Sequence, residues 1–499
     1  MYIFFIFVLF STLLNSSTLK LSISSNPSRI NPILSTDSAS REISQWIFNG
    51  LFKYDKNGNI ICDLAKSYYF KTTTKLIVRL KKYVKWHDNH HLTADDVIFT
   101  YKTINSSTIF TPLKSDFKMI KNIRKLDNFT IEINYKKPYF KALEIWMVGL
   151  LPKHLLKNEK DLMTSSFNKH PIGTGSYQLK QLTISSDIIL KANDDYFDGR
   201  PKIDTITYKF MPDTTTSFYN LKQKQLDIGG LTPIQIDRQI DDKFKQDFKI
   251  CEKSSFGYTY MGFNLKRDKF KDIKIRQALN LGINRQELVD ILFFGHGKIC
   301  TGPFLPNTFA FNKNIQAPKQ NIKQAKQLLK QMGYDNNNPF EFEVITNVNN
   351  SIRVNAAQIL QYQLSFIGVN MKIRVMEWQA FLNTIITPRN FDAIILGWRL
   401  SLMPDAKPLW HSSSDKKGGF NLVGYVNKDV DSLIEQGEST IDKKELGKIY
   451  KQIFTKISDD LPYLFLYIPN SITAINNNIQ NVSSSIVGIT HNQKDWIKK

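Results

Sequence analysis

The stretch WHDNHHLTADDVIFTYKTI, Trp86 to Ile104, sets His87, His90 and His91 beside Asp88, Asp95 and Asp96. Imidazoles and carboxylates at that density are the raw material of a zinc site or an acid–base pair. A zinc hydrolase centred on those histidines is therefore one reading. The elements that must position the residues argue for another. Ahead of them, the alternating run KLIVRLKKYVKW reads as a half-buried strand with Trp86 at its end. After them, Thr93 is placed to cap a helix and Asp96 answers it three residues on, as in a capping box, while Val97, Ile98 and Tyr101 supply an apolar stripe. Asp95 and Asp96 then occupy the first turn, where the helix dipole favours negative charge by about 0.3–1 kcal/mol each. The histidines fall in the turn between the two elements. Their spacing matches neither a helical H-E-x-x-H pair nor a zinc finger, so they are read as turn residues and no metal is expected.

Composition narrows the function classes further. A chain of 499 residues has room for about three domains, and 42% hydrophobic with 22% charged residues is ordinary for a folded soluble protein. The 67 Lys+Arg against 45 Asp+Glu leave a net charge of +22. Lysines are scattered singly and in pairs, with no basic arm, zinc knuckle or RNP-like aromatic run, so the excess reads as a solvated surface and no nucleic-acid partner is expected.

The first residues stand apart. MYIFFIFVLFSTLL, Met1 to Leu14, followed by the polar stretch Asn15 to Thr18, reads as a secretion signal over residues 1–18. It is shorter than the roughly 20 residues a spanning helix needs. No Lys or Arg precedes it, and no comparable segment follows. A soluble, periplasmic protein is the expectation. Cys62, Cys251 and Cys300 are too widely spaced for a disulfide framework or a paired-cysteine metal site. At most one bridge is expected, and no cysteine follows the leader to carry a lipid.

Along the rest of the chain, LSISSNPSRINPIL opens with a strand from Leu21 to Ser24, and Ile43, Trp46 and Ile47 recur at helical spacing. Asn57-Gly58 between two apolar runs signals a hairpin. PIGTGSYQLKQ lacks the lysine and following helix of a phosphate-binding loop and reads as a turn feeding a strand. DIKIRQALNLGINRQELVDILFFGHG holds two helices, the second capped by Asn284 with Glu287 three residues on. Helices ending at Gly333 and Gly368, then the strands NMKIRVMEW and FDAIILGW, give the second half an α/β character.

Taken in order, VKWHDNHHLTADDVIFTYKTI, PIGTGSYQLK, FDGRPKIDTITYKFMPD, YMGFNLKRDKFKDIKIRQALNLGINRQELVD, AKQLLKQMGY, FDAIILGW and GFNLVGYVNKDVDSLIEQ resemble the bacterial solute-binding proteins of peptide/nickel-type ABC importers, family 5. The resemblance runs from about residue 40 to 470. It implies an α/β, two-lobed periplasmic-binding-protein fold of three domains: Leu19 to Leu51, Pro171 to Tyr258 and Pro469 to Lys499 as the first, Phe52 to His170 as an insert, and Thr259 to Ile468 as the third. It also implies a monomer without catalytic residues or cofactor. Such a protein would close on a short peptide, or on another small ligand such as a nickel chelate, haem, glutathione or a sugar, and deliver it to permease subunits.

The resemblance also points to site residues. Several peptide binders keep an aspartate three residues after the tryptophan of the GW strand, to take an α-amine; here that position is Ser401, and Asp405 is the remaining carboxylate. Asp405 is a candidate partner for an ammonium or a turn residue after Pro404. Trp398 would form an aromatic wall or pack in the core. Arg353, just ahead of the helix ending at Gly368, lies near a carboxylate-binding arginine of some members, a role suited to a bidentate guanidinium. Tyr258, Tyr260 and Asn264 would mark the crossing between lobes, as hinge or cleft lining or as ordinary strand packing.

Overall fold

The computed structural model describes residues 17–348 and 350–499; the leader falls outside them except for its last two residues. Those two contact the folded body. The Ser17 amide donates to Asp204 Oδ2 at 2.8 Å, and Thr18 opens the strand Thr18–Ile23. That strand pairs in parallel with Thr205–Phe210, and Asp187–Ala192 and Tyr177–Leu182 complete a four-stranded sheet. The helix Ser38–Ile47 buries Ile43, Trp46 and Ile47 in the same core, and Asp37 caps it.

The PIGTG loop has a packing reason for its glycines. A β-carbon on Gly173 would lie 1.8 Å from the Ile47 carbonyl oxygen, and one on Gly175 would lie 2.2 Å from that of Trp46. Only glycine lets the loop run against the helix end so closely.

Inserted between these parts is a second four-stranded sheet, ordered Ala65–Thr72, Lys75–Leu80, Thr130–Tyr135 and Ile120–Asp127. The expected hairpin at Asn57-Gly58 joins Phe52–Tyr54 to Ile60–Cys62, with Gly58 at φ +75°. Trp86 does not end a strand. Its strand stops at Leu80, and only an isolated bridge between Lys85 and His91 follows, so the side chain is buried from within a turn. The helix after it, Ala94–Asn105, begins as expected: Asp96 Oδ2 accepts the Thr93 amide at 2.9 Å.

The largest sheet carries the second lobe and the passage between lobes. Its strands run Ile228–Leu231, Tyr463–Asn476, Gly257–Phe263, Ala393–Arg399, Phe340–Asn347 and Val369–Met376. Tyr463–Asn476 is 14 residues long and changes partner midway: its first half pairs with Gly257–Phe263 and its second with Phe248–Ser254. Pro469 sits at the change, where its missing N–H costs no ladder bond, and its carbonyl accepts from Ser255 at 2.9 Å. Two neighbouring strands therefore cross between lobes together. On the far side, Tyr258, Tyr260 and Trp410 belong to one apolar core, and Met261 and Leu360 to another.

The three cysteines are free thiols.

Candidate functional site

Arg353 is the third residue of the helix Ser351–Ser365 rather than just ahead of it, and Asn350 caps that helix by accepting the Arg353 amide at 3.0 Å. The guanidinium reaches back over the strand Ala393–Arg399. Its Nη1 donates to Asn347 Oδ1 at 3.2 Å, while a β-carbon on Gly397 would come within 2.9 Å of Nη2. Burial draws its pKa below the ordinary arginine value, with Tyr467 and Tyr260 opposing, yet a guanidinium stays cationic in any such setting. Two buried polar atoms here have no hydrogen-bond partner among the described residues, Arg353 Nε and the Tyr467 hydroxyl. Arg353, Tyr258 and Trp398 line one cavity of about 300 Å³.

Trp398 and Tyr260 are not equivalent partners in this wall. Tyr260 is wholly buried and stacks on Tyr463 at 3.9 Å, with Trp398 parallel to it at 6.1 Å. Trp398 is half-buried, donates its indole N–H to the Tyr463 hydroxyl at 3.3 Å, and meets the edge of Phe420. Tyr260 therefore backs the wall and Trp398 faces the cavity. Burial pushes the Tyr260 hydroxyl far above its usual pKa, so the stack is neutral.

Arg399, which nothing in the sequence reading singled out, lines both this cavity and a larger one of about 700 Å³ against the first lobe. The larger space is bordered by Arg41, Glu42, Lys253 and the backbone of Gly229 and Gly230. Burial raises the Glu42 pKa, which makes its negative charge harder to form. Arginine and lysine thus outnumber carboxylate along the cleft, an arrangement that favours a ligand carrying carboxylate groups. The sequence signal for Arg399 is its place at the open end of an otherwise apolar strand.

The remaining candidates lie elsewhere. Asn264 is buried at the far end of Gly257–Phe263, where its amide donates to the carbonyls of Arg389 and Phe391; it holds a loop and lines neither cavity. Ser401 donates to the Met403 carbonyl at 2.5 Å, closing a turn in its own loop. Asp405 accepts from the Lys407 amide at 3.1 Å and faces Lys141 of the insert at 3.6 Å. A second bridge forms beside it, where Glu438 takes both Lys137 of the insert and Lys407 at 3.0 and 2.9 Å. Burial raises the Asp405 pKa while Lys141 draws it down.

The opening histidines separate. His87 is clamped: the Gly173 amide donates to Nδ1 at 3.2 Å, so Nε2 carries the proton and donates to the Gly175 carbonyl at 3.0 Å. Burial pushes its pKa down to about 4, which fixes the neutral ring. His91 enters the backbone bridge to Lys85. His90 alone meets another imidazole, that of His154.

Two lobes joined by paired crossing strands, with a cation-lined cleft beside the crossing, define a hinged ligand-binding protein of the periplasmic-binding-protein fold. The model of bacterial extracellular solute-binding proteins, family 5 Middle, matches residues 59–420, and the chain belongs to that family. It is 35% identical to the oligopeptide-binding protein AppA of Bacillus subtilis, over 94% of this chain and 89% of that one. The solved structure of that AppA, in complex with a nonapeptide, superposes with a TM-score of 0.80 at 33% identity, covering 97% of this chain and 99% of the other. NikZ of Campylobacter jejuni, solved with Ni(L-His), gives a TM-score of 0.83 at 28% identity over 96% and 99%.

Proposed function

We propose that the protein is the substrate-binding component of an ABC importer, which captures short peptides by hinge closure and hands them to a membrane permease without breaking a bond. The observation that carries this reading is the pair of unpartnered buried polar atoms, Arg353 Nε and the Tyr467 hydroxyl, beside a cavity at the lobe crossing. Buried polar groups without partners cost about 1–3 kcal/mol each, and a ligand's carboxylate or carbonyl would satisfy them. Peptide is favoured by the likeness to AppA and by the strand Ile228–Leu231, which stands at the end of its sheet with open space over Gly230. An extended peptide can add to such an edge by main-chain hydrogen bonds. The larger cavity, about 700 Å³, is of ligand size.

In this reading the first domain comprises residues 19–51, 171–258 and 469–499, the insert 52–170, and the third 259–468. The protein works outside the cytoplasm as a monomer; among the described residues no helix is long and apolar enough to cross a membrane. Native mass spectrometry of protein purified without refolding tests the cargo. Co-purified peptides of two to several residues are expected, and a nickel chelate, haem, glutathione or sugar in their place would overturn the peptide assignment.

A further inference from the structure

The turn that opened the sequence analysis meets a residue that no local spacing could supply. His154, on the short helix Lys153–Leu156, brings Nε2 to 2.7 Å from Asp88 Oδ2, and His90 brings Nδ1 to 3.3 Å from Asp88 Oδ1. The two imidazoles stack at 4.1 Å, and one donor atom from each of the three residues lies within 4.8 Å of the others. We propose that Asp88, His90 and His154 form a binding site for a divalent transition-metal ion on the outer body of the insert, apart from the ligand cleft.

The donor set and its spacing carry the argument. Two imidazole nitrogens and one carboxylate oxygen are borderline-soft ligands that suit zinc and its neighbours over calcium or magnesium. Metal–ligand distances of about 2.0–2.2 Å in a tetrahedron place donors about 3.3 Å apart. The carboxylate holds the two nitrogens at 2.7 and 3.3 Å, one on each oxygen, the second at that separation and the first closer, at hydrogen-bond distance. His90 is the exposed member of the set, at 62%, and it leaves room for water in the fourth position.

A metal site also needs supports that hold its ligands still, and this turn has them. The Trp86 amide donates to the His90 carbonyl at 2.8 Å, and the Asn89 amide returns to Trp86 at 2.9 Å. Asn89 takes φ +70°, a conformation asparagine tolerates better than most residues. Next to it, His87 is clamped to Gly173 and Gly175. On the opposite side the Lys153 amide donates to Asp96 Oδ1 at 2.9 Å, which anchors the helix that carries His154. The buried Trp86 ring backs His154 at 6.2 Å. The four residues of the opening stretch that do local structural work, Trp86, His87, Thr93 and Asp96, thus serve as the frame for Asp88 and His90. None of the three ligands lines the cleft cavities, so metal held there would staple the turn to the helix without touching cargo.

Equilibrium dialysis of untagged, full-length protein against zinc tests the site. One equivalent of zinc is expected to bind, and His90→Ala and His154→Ala are each expected to weaken it at least about tenfold. Zinc should raise the unfolding temperature of the unmodified protein and leave that of His154→Ala unchanged. Should His154→Ala fail to fold, His90→Ala, at an exposed position, decides. Absence of zinc binding, or binding of equal strength in the variants, would overturn the proposal, the second outcome by placing the metal elsewhere.

Discussion

Lys141 and Asp405 face each other across the two lobes, the ammonium 3.6 Å from the carboxylate and 2.8 Å from Asp116 on its own side. Lys141 is 13% exposed and Asp405 26%, so the pair is only partly screened by water. Phe140, next in the chain, packs toward Tyr450, and its amide donates to the Glu438 carbonyl at 3.2 Å. The insert and the second lobe are thereby held together at a distance from the cavity wall. Contacts of this kind exist only when the lobes meet, and a ligand that selects the closed form benefits from each of them.

Lys141→Met should accordingly weaken cargo binding by about tenfold, about 1.4 kcal/mol, although Lys141 lines neither cleft cavity. Asp405→Asn should do the same, and the double variant should fall short of the sum, because both remove one contact. Calorimetry of the four proteins with the same peptide measures this. Additive losses would show that the two residues act separately.

Glu144 gives the insert an unusual dependence on pH. Burial raises its pKa from 4.5 to about 7, while Lys141 and the hydrogen bond from the Tyr54 hydroxyl at 2.7 Å draw it back. The fold prefers the neutral acid, so its contribution is fully present below the unfolded value near 4.5 and is lost as pH rises through about 7. The size is about 3 kcal/mol at the upper end. Glu144→Gln, which stays neutral, should be more stable than the unmodified protein at about pH 8 and no different at about pH 4. Unfolding temperatures measured across that range check it, and taking the difference between the two proteins removes the opposite trend expected of His87.

What could be read from sequence followed the range of the interactions. The Thr93–Asp96 cap and the Asn57-Gly58 hairpin were legible because every partner lies within a few residues. The pair Asn284 and Glu287 has the same spacing, yet no capping box closes: the Asn284 amide donates to Gln363, and Gln363 also donates to Glu287 at 2.8 Å. A distant residue won both groups. The alternation of apolar and polar residues continues through Trp86 as it would in a strand, but its burial comes from the turn. The ordered set of motifs revealed the family, since order along the chain survives where local geometry is ambiguous. It could not reveal that Asp405 would meet Lys141 or that Arg399 would border two cavities, since both facts depend on how the lobes come together.

Arg353 is expected to contribute through geometry as well as charge. Replacing it with alanine should weaken a peptide with a free C-terminal carboxylate by ten- to a hundredfold, about 1.4–2.8 kcal/mol, and lysine should restore little because it lacks the planar fork. A C-terminally amidated peptide should bind the unmodified protein less tightly than the free acid, and Arg353→Ala should treat the two nearly alike. Equal losses for both peptides would move the carboxylate contact to another cation, with Arg399 the first to test.

Gly397 controls where that guanidinium sits. A β-carbon there would meet Arg353 Nη2 and the Tyr258 carbonyl oxygen, each at 2.9 Å. The arginine is the far end of a flexible side chain and can retreat, but the carbonyl belongs to the paired strand, where Thr259 lies opposite Gly397. Gly397→Ala should therefore cost about 1–3 kcal/mol of stability through the backbone contact. It should also lower affinity by displacing Arg353 from the cavity. If that is how it acts, adding Gly397→Ala to Arg353→Ala will lower stability again while leaving affinity where Arg353→Ala alone put it. Thermal unfolding and calorimetry on the same samples separate the two effects, and a further loss of affinity in the double variant would mean that the alanine blocks the ligand itself.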